Sequence, residues 1–86
     1  MENGIERSRE VFRLIVQVDG FELKVIAQQL RDHKWQLAVQ NELGVNSVWL
    51  KTFLDVGEAI DAGITAIEKE GARAFCGIKG FEYLLN

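Results

Sequence analysis

One histidine and one cysteine are the side chains of this sequence whose chemistry suits general-base or nucleophilic work near neutral pH. His33 follows Asp32, and a His-Asp neighbour is raw material for a general base. Acid-base catalysis also needs a nucleophile or a substrate pocket, and Arg31-Asp32-His33-Lys34 reads instead as a solvated polar connection. Cys76 stands between Phe75 and Gly77 with no adjacent cation or histidine to generate a thiolate, so it is expected to behave as a small hydrophobe. Gly77 and Gly80 have the spacing of a loop that approaches phosphate closely, but the Gly-Lys-Ser/Thr ending of such a loop is missing. The acids Asp61, Glu68 and Glu70 crowd one stretch, yet on a helix positions 68 and 70 point apart and cannot close on one cation. One His and one Cys also fall short of a zinc ligand set. The sequence therefore predicts no catalytic, cofactor-binding or metal-binding residues, no small-molecule ligand, and a protein that is not an enzyme.

Length and charge narrow the remaining classes. Eighty-six residues, 48% hydrophobic and 27% charged, suit one domain over residues 1–86 that needs nearly all of its large apolar side chains for its core. The net charge of −3, with acids and bases interleaved, argues against binding to phosphate backbones. Residues 1–9 alternate acids with Arg7 and Arg9 and are expected to be loosely ordered. No signal-peptide pattern follows them, and nothing approaches the roughly 18 consecutive apolar residues of a membrane span, so a cytoplasmic protein without membrane contact is expected.

The elements follow from periodicity. Two alternating runs flank Asp19-Gly20, a dipeptide suited to a two-residue type I′ turn, which predicts strands Val11 to Val18 and Phe21 to Gln28. Pairing Val18 with Phe21 then pairs Val16 with Leu23, Leu14 with Val25 and Phe12 with Ala27 on one apolar face. The other face holds Gln17 with Glu22, Ile15 with Lys24 and Arg13 with Ile26. Trp35 to Gln40 alternates as a third strand. Val48 to Phe53 reads as a fourth, with two registers open. Counting apolar positions favours Val48, Leu50 and Leu54 inward with Trp49 and Phe53 outward; a bulge in the preceding turn gives the reverse. Asp55 with Glu58 forms an N-terminal capping pattern, apolar residues recur at Val56, Ala59, Ile60, Gly63, Ile64 and Ile67, and Gly71 provides a stop, so a helix spans Val56 to Glu70. Gly63 is explained if the helix crosses the sheet closely there. The expected fold is α+β: a four-stranded antiparallel meander packed on one α-helix, with a short irregular C-terminal segment after residue 71. Its expected core is Phe12, Leu14, Val16, Leu23, Val25, Trp35, Leu37, Val39, Ile60, Ile64 and Ile67.

One helix covers one face of a sheet. The other face is expected to carry Ile15, Ile26, Trp49 and Phe53 among Arg13, Lys24 and Lys51, an apolar patch rimmed by cations. Those seven residues are the candidate protein-binding site, for a homodimer or for a host or phage protein, unless Phe81, Tyr83 and Leu84 fold back to seal the face. A sheet face with Arg13, Lys24, Lys51, Trp49 and several Gln residues is also the shape of a DNA-groove reader; Glu10, Glu22 and Glu42 and the net charge oppose that alternative.

Trp35, Asn41-Glu42-x-Gly44, Val48-Trp49, Phe53, Glu58-Ala59-Ile60 and Ile67-Glu68-x-Glu70-Gly71 resemble a pattern in short uncharacterised proteins carried by bacterial phages, prophages and plasmids. The resemblance spans residues 35–71. It implies a bacterial or phage-infected cytoplasm, a meander followed by a helix and, as a further alternative, a phage-encoded inhibitor of a bacterial defence complex. It brings no active site.

Overall fold

The Asp19-Gly20 turn fixes the first half of the molecule. In the computed structural model, which describes residues 10–77 and the backbone of 82–83, β1 (Val11–Val18) and β2 (Phe21–Gln29) form an antiparallel hairpin. Asp19 at φ 53° and Gly20 at φ 83° give the two left-handed residues that a type I′ turn requires. Every pair expected from the sequence forms, from Val18 with Phe21 to Phe12 with Ala27. β3 (Trp35–Gln40) pairs antiparallel with β2, β4 (Asn46–Trp49) with β3, and the two-residue β5 (Glu82–Tyr83) lies parallel to β4, so the strand order is the chain order.

The helix α1 (Val56–Glu70) has the predicted bounds. The Asp55 carboxylate accepts a hydrogen bond from the Glu58 N–H at 2.9 Å, satisfying a free donor of the first turn, and Gly71 at φ 88° ends the helix. A 3-10 turn (Ala72–Phe75) follows on the same side of the sheet. The architecture is the expected α+β fold, four antiparallel strands packed on one helix.

The fourth strand is corrected. It begins at Asn46 and ends at Trp49, and its faces are the reverse of the favoured reading: Trp49 and Phe53 are buried, whereas Leu50 and Leu54 are exposed. The cause lies in the turn. Glu42–Gly44 make a three-residue loop, closed by the Gly44 N–H on the Asn41 carbonyl and the Asn41 N–H on the Val45 carbonyl, both at 3.0 Å, with Gly44 at φ 84°. That extra left-handed residue is a bulge, and it sets Ser47 opposite Val39 on the helix side, which carries Trp49 inward two residues later. Past a bend at Leu50 and Lys51, Phe53 bridges Trp35 through two backbone hydrogen bonds and is also turned inward.

The core is corrected in the same sense. Leu23, Val25, Trp35, Leu37, Val39 and Ile67 are buried as expected, joined by Ala27, Trp49, Phe53, Ala59, Ala66, Ala72 and Phe75. Phe75 stacks on Trp49 with ring centroids 6.4 Å apart, so the 3-10 turn closes one end of the core. Leu14, Val16, Ile60 and Ile64 are only partly buried, and Phe12 is exposed. The reason is the roll of α1: its buried line is Ala59, Gly63, Ala66 and Ile67, turned by roughly 80° from the line of Ile60, Ile64 and Ile67, at about 100° per residue. At the contact, a Cβ on Gly63 would lie 2.7 Å from Val25 Cγ1, so the small residues bring the helix backbone down onto β2 as Gly63 suggested. The expected sealing by Phe81, Tyr83 and Leu84 involves side chains outside the described residues.

Candidate protein interface

The seven candidate residues divide between the two sides of the sheet. Arg13 pairs with Ile26 and Ile15 with Lys24 on the face away from the helix, so these four share one surface, with Arg13 and Ile15 exposed and Lys24 and Ile26 half-buried. Trp49 and Phe53 leave the site, because both are core residues on the helix side. Lys51 goes with them: it stands in the bend after β4, and its ammonium lies 5.5 Å from the Phe53 ring centroid, a cation–π distance. On the open face Ile26 faces Ala38, which faces Val48, while Lys24 and Gln40 pair alongside, followed by Asn46 across from Gln40. The centre of that face is therefore a row of small or half-buried apolar groups within a polar field.

The larger apolar surface lies at the margin. α1 packs on β2 and β3. The side of β1 facing the helix layer is left half-covered, with Phe12 49% exposed, while Ile15 on the other side is 57% exposed and Val11 43%. Between β1 and α1 runs a groove of ≈ 330 Å³ lined by Val16, Gln17, Val18, Ile64, Ile67 and Glu68. The isoleucine flank of the rolled helix thus faces a half-covered strand. A four-stranded meander puts its first strand at an edge, and among the described residues no strand pairs with the outer edge of β1, whereas β4 is flanked by β5. Sequence reasoning missed Phe12 because it assumed that α1 covers all of the inner face. The run of small residues Ala59, Gly63 and Ala66 was the available signal that its footprint is narrow.

The other chemistry-bearing residues lie apart. His33, exposed at φ 70°, closes a turn by donating its N–H to the Leu30 carbonyl, and Asp32 accepts from the Lys34 N–H at 3.1 Å. The Cys76 thiol donates to the Ala72 carbonyl at 3.1 Å, and its pKa is raised, first by burial and then by the negative charge of Glu42. Asn41 is buried and fully used: its amide nitrogen donates to the Phe75 and Gly77 carbonyls, and its oxygen accepts from the Leu43 and Val45 N–H groups. It ties the β3–β4 loop to the segment after α1. A hollow of ≈ 190 Å³ beside it is lined by Glu22, Lys24, Gln40, Asn41, Glu42 and Gly44, and there Glu42 accepts the Glu22 N–H at 3.2 Å. Among the described residues no three His, Cys, Asp or Glu side chains group as metal ligands, and no helix is long and apolar enough to cross a membrane. No protein-family model, curated protein or solved structure matches the chain.

Proposed function

We propose that the chain is a non-enzymatic protein-recognition module of the bacterial cytoplasm, and that it meets its partner along β1. The observation that carries this reading is the strand itself. Val11–Val18 is an eight-residue edge without proline, glycine or lysine, and it shows Val11, Phe12 and Ile15 to solvent on its two faces. Natural edge strands are ordinarily shortened, bulged, charged or covered, since a bare one pairs with other chains. Arg13 is the one charged residue of this strand. An incoming strand gains main-chain hydrogen bonds from such an edge and specificity from the side chains on either face. Ile15, Arg13, Ile26 and Lys24 remain in the proposed contact surface; Trp49, Phe53 and Lys51 do not.

A photo-crosslinking residue introduced at Phe12, at Ile15 or at Leu54 tests this in bacterial cells. Leu54 is 75% exposed and distant from β1 in the sheet order, so it reports on general stickiness. Protein adducts from positions 12 and 15 and none from position 54 are expected. No adducts from 12 and 15, or equal adducts from all three, refutes recognition along β1.

A further inference from the structure

Resting on that reading, we propose that the partner of β1 is a second copy of this chain, the two β1 strands pairing antiparallel about a two-fold axis at Leu14. The backbone fixes which groups are free. In a two-residue hairpin the residues flanking the turn exchange both hydrogen bonds, and so does every second pair beyond them. Val18, Val16, Leu14 and Phe12 therefore bond to β2, and the series continues at Glu10, whose carbonyl accepts the Gln29 N–H at 2.8 Å. The N–H and C=O groups of Val11, Arg13, Ile15 and Gln17 point to the open edge.

A strand can pair with its own copy only if one register satisfies both its free groups and its faces. Centred on Leu14, the register joins Val11 to Gln17 and Arg13 to Ile15 of the other copy, and the reverse, so all four outward residues are used. The helix-side face then meets as Phe12 against Val16 and Leu14 against Leu14, apolar throughout, beside the grooves that Ile64 lines in the two copies. No charge stands directly opposite a like charge. Centring on Val16 instead leaves both Val11 and Arg13 without partners inside the strand. Both copies keep their helices on one side, because even residues meet even residues, and the sheet continues from one copy into the next.

The exposed parts of Val11, Phe12 and Ile15 with the outer edge of the strand amount to about 500 Å² per copy, or on the order of 1,000 Å² in total, the lower bound of a specific interface. An interface at this lower bound is expected to form in a concentration-dependent way.

Sedimentation equilibrium and amide hydrogen exchange on the purified chain test the proposal together. A dimer is expected whose Val11, Arg13, Ile15 and Gln17 amides exchange at least about tenfold more slowly at high than at low protein concentration. Ile15→Pro removes a donor aimed at the open edge without touching the β1–β2 ladder, and is expected to give a monomer with unchanged circular dichroism. Should that variant unfold, the exchange pattern of the wild type still decides. A chain that stays monomeric at about 1 mM, a concentration at which even a weak specific interface of about −4 kcal/mol is half-formed, overturns the proposal. So does a dimer in which those four amides gain no protection. Crosslinks from positions 12 and 15 to a different protein, with a monomeric purified chain, refute the second copy and leave recognition along β1 standing; no crosslinks at all together with a monomeric purified chain refute both.

Discussion

Gly63→Ala sets two effects of comparable size and opposite sign against each other at one position. Alanine in a helix interior is favoured over glycine by about 1 kcal/mol. Here its methyl would arrive 2.7 Å from Val25 Cγ1 and 3.4 Å from Leu37 Cδ1. Val25 is fully buried in a central strand, and its β-branched side chain has little rotameric freedom, so the contact is relieved only by lifting α1 off the sheet. Overpacking of this kind costs about 1–3 kcal/mol, so the net change is a loss of about 1 kcal/mol. Val25→Ala removes the obstructing methyl. It costs about 2 kcal/mol in lost burial, tolerable for a chain of 86 residues whose stability is about 4–13 kcal/mol. In that background Gly63→Ala meets no clash, and the helix preference remains as a gain of about 1 kcal/mol. Urea unfolding of the four proteins at 25 °C should therefore show the sign of Gly63→Ala reverse, with a coupling of about 2 kcal/mol. If Gly63→Ala stabilises the wild type, or if the two changes add within about 0.5 kcal/mol, α1 does not press on Val25 and the close crossing is wrong.

Three further outcomes follow from the same geometry. Asn41→Ala removes four hydrogen bonds from a buried site and leaves backbone groups behind it unsatisfied, so it should cost about 2–3 kcal/mol and, by freeing the turn that holds Phe75, change the near-ultraviolet signal of Trp49. His33→Gly should raise the unfolding midpoint by the equivalent of about 1 kcal/mol, since glycine accepts φ 70° without the penalty a Cβ imposes, whereas a loss of stability would show the imidazole to be holding something. Cys76 has a thiol pKa above its usual value in the folded state, so less thiolate is present at any pH near 8; labelling by a disulfide reagent should be slower than in the urea-unfolded chain and should accelerate only as pH climbs past the ordinary thiol range.

What the sequence disclosed follows a physical pattern. Asp19-Gly20 admits one turn of two residues, and once the turn is fixed, every pair from Val18–Phe21 outward is fixed with it, which made the hairpin and the surface pairs Arg13–Ile26 and Ile15–Lys24 legible. Asp55 and Gly71 mark the ends of α1 by satisfying its terminal groups, a local matter that the sequence states directly. The faces of β4 were not legible, because they depend on one left-handed residue at Gly44. Counting apolar positions set three aliphatic residues against two aromatic ones, although Trp49 and Phe53 bury far more surface each than Leu50 or Leu54 would. Three of the seven candidate residues, Trp49, Phe53 and Lys51, were lost with that register.

The roll of α1 shows why the remaining error concerned the same strand that now carries the interface. Hydrophobic size placed Ile60 and Ile64 at the centre of the contact, but in a two-layer packing the centre belongs to whatever lets the layers approach, and Ala59, Gly63 and Ala66 do so while the isoleucines cannot. Seated low over β2 and β3, the helix turns its isoleucine flank toward β1 without covering it. Phe12, Leu14, Val16 and Val18 therefore hold a half-covered apolar line that a helix rolled onto its isoleucines would have reached further across. The exposed margin of β1 is a consequence of close packing elsewhere, so a substitution that lifts α1 from Val25 also changes the surface β1 offers. Gly63→Ala should accordingly shift self-association as well as stability, and Leu54, outside both layers, should influence neither.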